Sequence, residues 1–129
     1  MHHGLGRFCW TDLAASDAEA AASFYERMFG WTSSEQSANG GRFTRLRIGR
    51  EEVASLYQLK RAQVDRGVPS HWTPYVAVAD VREAARRVSS LGGKVIVTPF
   101  EVSGVARIAL IEDAVGAFLG LWEAIEAAG

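Results

Sequence analysis

The chemistry available to this chain centres on Asp12. Residues 7–14 read Arg-Phe-Cys-Trp-Thr-Asp-Leu-Ala, an alternation that predicts a strand with Phe8, Trp10 and Asp12 on one face. A carboxylate held beside a tryptophan in an aromatic cleft is desolvated. Its pKa then rises, which suits it to act as a general base or to hydrogen-bond a ligand's hydroxyl or amine. The competing role is an ion pair with Arg45 or Arg107. The same alternation after Pro69-Ser70 puts His71, Thr73 and Tyr75 on one face, so Asp12 and His71 together are the alternative, a displaced metal site. A lone histidine without spaced partners is more often a strand-end residue than a ligand. Cys9 has the opposite parity from Trp10 and reads as a small buried hydrophobe. The chain has no G-x-S-x-G elbow, no Walker loop and no G-x-G-x-x-G at a strand-helix junction.

The elements that must position these residues come in two copies. Leu13 to Asp17 and on to Gly30 recurs as Val76 to Asp80 and on to Gly93, at a constant offset of 63 residues (Asp17 to Asp80, Gly30 to Gly93). Two occurrences at so long a period indicate two pseudo-symmetric modules, not a solenoid. In the first, Ser16-Asp17-Ala18-Glu19 has capping-box spacing, Ala21, Ala22, Tyr25, Met28 and Phe29 form a helical stripe, and Gly30 is placed to stop it. In the second, Asp80 is the cap, Val81, Ala84, Ala85, Val88 and Leu91 form the stripe, and Gly92-Gly93 end it. Strand-like runs follow each helix: 31–34, 42–48 and 53–59, then 94–98, 105–111 and 118–122. They are broken by Asn39-Gly40-Gly41, Gly49, Ser103-Gly104 and Asp113 to Gly116. The expected organisation is α+β, a single domain over 1–129 of two βαβββ modules at about 7–59 and 70–123. Residues 60–69 are its linker.

Bulk properties bound the function without choosing it. A chain of 129 residues with 14 basic and 15 acidic side chains carries no electrostatic footprint for nucleic acid or anionic membrane. One cysteine, with no signal segment and no long apolar span, fits a cytoplasmic protein. His2 and His3 are given no chemical weight.

The paired βαβββ pattern, with Cys9-Trp10-Thr11-Asp12-Leu13, Ser16-Asp17, Phe24-Tyr25, Phe29-Gly30-Trp31, Gly92-Gly93-Lys94-Val95, Pro99-Phe100 and Asp113 to Gly116 before Ala117 to Trp122, resembles the vicinal oxygen chelate superfamily. That group includes glyoxalase I, bleomycin-resistance proteins and extradiol dioxygenases. The resemblance implies curved mixed sheets whose concave faces form a shared cleft. It also implies a divalent metal held by one residue from the first and one from the last strand of each module. Carried onto this chain, those positions are Trp10, Ser55, Thr73 and Gly120, none an imidazole or a carboxylate. No cofactor is therefore expected in the usual place. By parity with the same positions, Trp10, Tyr57, Tyr75 and Trp122 face the cleft with Asp12, and Phe8, Ser55, Thr73 and His71 border it. Aromatic faces beside a few polar groups suit a small apolar or aromatic ligand; the competing role for the rings is core.

Three functions compete: a metal-independent small-molecule-binding protein; a lyase, isomerase or hydroxylase-like enzyme using Asp12 as base or a displaced metal site; and a regulatory subunit. A homodimer is expected from the resemblance and from the exposed edges of half-open sheets.

Overall fold

The computed structural model describes residues 4–38, 41–102 and 104–125, so the expected turn at Asn39-Gly40 and the Ser103 position lie outside the described residues. The elements are β1 (Phe8–Ala15), α1 (Ala18–Phe29), β2 (Thr32–Ala38), β3 (Gly41–Ile48), β4 (Glu51–Gln58), α2 (Arg61–Asp65), β5 (His71–Ala77), α3 (Val81–Val88), β6 (Lys94–Val102), β7 (Ala106–Glu112) and β8 (Phe118–Ala124). The class is α+β with eight strands in mixed pairing, as the repeat predicts.

The chain divides into two compact units, residues 11–73 and the N-terminal run through Trp10 with the chain from Pro74 onward. In the first, the strand order is β2-β3-β4-β1, antiparallel except for the parallel β4–β1 pair. In the second, the order is β5-β8-β7-β6, antiparallel except for the parallel β5–β8 pair. The N-terminal run joins the second unit through bonds from Gly6 N–H to the Ala77 carbonyl (2.7 Å) and from Ala77 N–H to the Arg7 carbonyl (2.9 Å).

Each unit packs one helix on one sheet face. In the first, Leu13, Ala15, Leu46, Ala54 and Leu56 are buried beneath Ala18, Ala21, Ala22 and Tyr25 of α1. In the second, Val81 and Val88 of α3 pack with Ala109, Ile111 and Leu121. Leu46, Leu56 and Val81 are wholly buried, and each such side chain stabilises the fold by about 2 kcal/mol.

Several local expectations are corrected. The cap of α1 is Asp17, whose carboxylate accepts from Ala20 N–H at 3.0 Å, while the Ser16 hydroxyl accepts from Ser70. Met28 and Phe29 are 62% and 54% exposed, and Leu91 is 65% exposed, because one sheet face covers only the nearer side of each helix. The 60–69 segment is not wholly irregular. Arg61–Asp65 forms a short helix, begun by the Gln63 side chain accepting from Lys60 N–H at 2.9 Å. The left-handed stop after α3 is Gly92 (φ 91°); Gly93 is required differently, since a Cβ there would lie 2.5 Å from the Glu112 carbonyl oxygen.

Candidate functional site

With Leu13, Leu56 and Leu46 turned toward α1, strand alternation sends Asp12, Ser55 and Arg45 to the other face of the first unit. They form one row across the sheet, because Asp12 is directly opposite Ser55 and Ser55 directly opposite Arg45. Ser55 Oγ donates to Asp12 Oδ1 at 3.1 Å. Tyr57, two residues along β4, is pushed up to about 12, first by burial and then by the nearby Asp12 charge. The phenol is therefore a neutral hydrogen-bond donor at physiological pH, beside a carboxylate that a hydroxyl already orients.

Arg45 pairs with Glu52, and Arg47 Nη2 reaches the same carboxylate at 3.4 Å. Glu52 thus holds two arginines on β3. Arg107 donates from Nη1 to Glu123 Oε2 at 2.8 Å, and the other oxygen of Glu123 accepts Val81 N–H at the start of α3.

The second unit presents a different face. Trp10 and Trp122 have ring centroids 6.1 Å apart, and Tyr75 meets Trp122 edge-on at 5.8 Å and 77°. Tyr75, Ala106 and Ile108 are buried, with Cys9, Trp10, Val102, Leu110 and Trp122 packed against them. Tyr75 is directly opposite Gly120, and a Cβ built on Gly120 would meet the Tyr75 ring at 2.2 Å. Burial pushes the Cys9 thiol up, so it is not a thiolate nucleophile at neutral pH.

The remaining residues named from sequence are scattered. Phe8 is 69% exposed and Thr73 is 7% exposed, its carbonyl accepting from Thr11 Oγ1 at 3.4 Å. His71 borders a cleft of about 450 Å³ beside α1, with Ser16, Asp17, Ser70, Phe24 and Trp72. Sequence reasoning missed the Arg45–Glu52–Arg47 cluster, although the alternation of Arg45 with Arg47 was a visible signal. It also missed that Phe24, Tyr25, Phe29, Trp31 and Trp72 gather into one aromatic group.

The donor chemistry does not fit the divalent metal that the fold implies. Among the four positions, Ser55 is engaged with Asp12, Thr73 is an alcohol, Trp10 offers no lone pair and Gly120 has no room for a side chain. Among the described residues, no three His, Cys, Asp or Glu side chains gather into a group able to hold a metal ion.

Two βαβββ copies, each opening its parallel pairing on the same pair of repeat-related positions, define a glyoxalase-type fold. The chain belongs to the Glyoxalase/Bleomycin resistance protein/Dioxygenase superfamily, whose family model matches residues 7–119. Among curated proteins it is similar to the anthracycline biosynthesis protein DnrV of Streptomyces peucetius, 34% identical over 131 aligned positions covering 91% of this chain and 46% of that protein. The putative glyoxylase CFP32 of Mycobacterium bovis is 32% identical over 117 positions, covering 89% of this chain and 44% of that protein. The chain thus spans about half the length of the curated relatives it matches. Among solved structures, a hypothetical protein BH1468 from Bacillus halodurans superposes with a TM-score of 0.68 at 17% identity, covering 95% of this chain and 97% of that one. Methylmalonyl-CoA epimerase from Mycobacterium tuberculosis gives 0.66 at 19%, covering 98% and 94%. These two likenesses establish the fold alone. Among the described residues, no helix is long and apolar enough to cross a membrane.

Proposed function

We propose that this chain binds a small molecule with a planar aromatic portion, stacked on Trp10 and Trp122, and that it does so without a resident divalent metal. The observation that carries it is the Trp10–Trp122–Tyr75 ring cluster on the sheet face opposite α3. Superfamily membership and a relative named for anthracycline biosynthesis, a chemistry of fused aromatic rings, support the ligand class. The protein is read as cytoplasmic and homodimeric, and light scattering should give about twice 14.0 kDa; a clean monomer overturns the dimer.

The test is fluorescence titration with a panel of planar aromatic compounds on protein without a histidine tag. Saturable tryptophan quenching is expected, with Trp122→Ala weakening binding by about 1–3 kcal/mol while the domain still unfolds cooperatively. Absence of quenching by any planar compound, or loss of folding in both Trp10→Ala and Trp122→Ala, overturns the reading. Elemental analysis should find no stoichiometric Zn, Fe, Mn or Ni.

A second reading rests on the Asp12–Tyr57 pair. A carboxylate next to a phenol that stays protonated is a base and a donor, the pairing needed to take a proton from carbon or oxygen while stabilising the charge that results. In that case Asp12→Asn abolishes turnover of a bound ligand and leaves its binding within a fewfold.

A further inference from the structure

The 450 Å³ cleft beside α1 has a lining unlike either sheet face, and the geometry points to a second binding site there, for a small organic cation carrying its ammonium group on an apolar body. The cleft lies wholly within residues 13–72 and shares no residue with the Asp12, Ser55 and Tyr57 set.

Three of its walls are rings. Phe24 and Tyr25 meet edge-on at 5.1 Å and 88°, and Tyr25 and Trp72 meet at 5.6 Å and 73°. Trp72 Nε1 donates to the Tyr25 hydroxyl at 3.2 Å, which fixes the second pair in its crossed orientation. Phe24 is 58% exposed and Trp72 36% exposed, so ring surface remains open to a ligand.

The polar lining selects the sign of charge. Asp17 carries the one formal charge among the lining residues, which include no lysine and no arginine. A helix start would ordinarily invite an anion, but here three of its donors are already committed. Ala18 N–H goes to Gln58 Oε1 (2.8 Å), Ala20 N–H to Asp17 Oδ1 (3.0 Å) and Ala21 N–H to the Asp17 carbonyl (3.0 Å). Ser70 is held by Ser16, accepting its N–H at 2.9 Å and donating to its hydroxyl at 3.2 Å. His71 Nδ1 lies 2.8 Å from the Pro69 carbonyl, which can only accept, so Nδ1 is the donor. Acceptors and π faces remain, and together they attract a cation and disfavour an anion.

Choline and its uncharged carbon isostere 3,3-dimethyl-1-butanol are the probes, read by proton–nitrogen NMR at the Trp72 indole N–H. Choline should shift that signal saturably, and the isostere should bind about fivefold or more weakly. Asp17→Asn keeps a competent helix cap but removes the charge, so it should weaken choline severalfold with an unchanged melting temperature. Phe24→Leu should weaken it likewise, read on the same indole. Trp122→Ala should leave choline binding as it is, which separates this site from the ring cluster of the other unit. Equal affinity for choline and the isostere, no saturable shift with choline, loss of choline binding in Trp122→Ala, or a Phe24→Leu variant that changes only the oligomeric mass would each overturn the proposal.

Discussion

One repeat position has been put to opposite uses in the two units. In residues 11–73, Asp12 faces Ser55 across a parallel strand pair, and the two side chains hydrogen-bond. In the other unit, the repeat-related Tyr75 faces Gly120 across the matching parallel pair, and an aromatic ring lies where the glycine has no side chain. The backbone pairing is the same; the first pair gives a charged, hydrogen-bonded face and the second a packed aromatic one. Duplication preserved the register that sets which residues meet, leaving their chemistry free to diverge. The difference extends to the next strand. Arg45, opposite Ser55, is tied to Glu52, whereas Ile108 and Ala106 of β7 join Tyr75 in the core.

Placing alanine at both related positions breaks this comparison most sharply. At Gly120 the added Cβ would meet three Tyr75 ring atoms at 2.2–2.7 Å, and a buried ring cannot swing away without disturbing Trp122. Gly120→Ala should cost about 3 kcal/mol in denaturant unfolding, as overpacking of a filled core does. Much of the loss should return in the Gly120→Ala/Tyr75→Leu double variant, since the two changes share one contact. A stability loss under about 0.5 kcal/mol for the single variant would mean that the ring is not held over the glycine.

Much of this arrangement was legible in the sequence because it rests on two periodicities. Alternation by two gave Asp12 and Trp10 a common parity and set Leu13 and Ala15 on the other side. The 63-residue offset paired Asp12 with Tyr75 before any contact was known. What stayed hidden depends on cross-strand distance or on side-chain reach. The need for glycine at 120 follows from which strand lies beside β5, and nothing local to Phe118–Trp122 states it. The Arg45–Glu52 pair depends on a register shift between Leu46 and Arg47 in the β3–β4 pairing. The α1 cap was misplaced by one residue because Ser16 and Asp17 both have capping side chains, and Ser70, distant in sequence, engages the serine. The cleft beside α1 was invisible for the same reason, since Phe24 and Trp72 meet only through folding.

The polar row can be tested by pH. The Tyr57 phenol titrates near 12 in the fold against an ordinary value of 10, so between those values the unfolded chain releases its proton while the folded chain keeps it. Stability attached to this group is complete below pH 10 and is lost as pH rises toward 12. Tyr57→Phe should flatten that part of the stability profile. Asp12→Asn should lower the phenol's pKa only part of the way, because burial is the larger cause and the carboxylate the smaller. Ultraviolet titration of tyrosinate formation reads both. A phenol that titrates at 10 in the unaltered protein would sever Tyr57 from Asp12.

The smallest effect should come from Ser55→Ala, the counterpart of the glycine change. It removes the donor that lies 3.1 Å from Asp12 Oδ1 but adds no volume, so no ring or strand has to move. Hydrogen bonds to charged groups contribute more than neutral ones, yet this one is only part-buried and water can take over some of its role, so the expected cost is about 1 kcal/mol. The more informative readout is ligand affinity. If Ser55 orients Asp12 for a ligand, binding weakens by more than stability falls, and Ser55→Thr, which keeps a hydroxyl on the same strand position, restores much of it. Should affinity and stability fall in equal measure, with no rescue by threonine, the Asp12–Ser55 pair is a brace between β1 and β4, and recognition rests with the rings of the other unit.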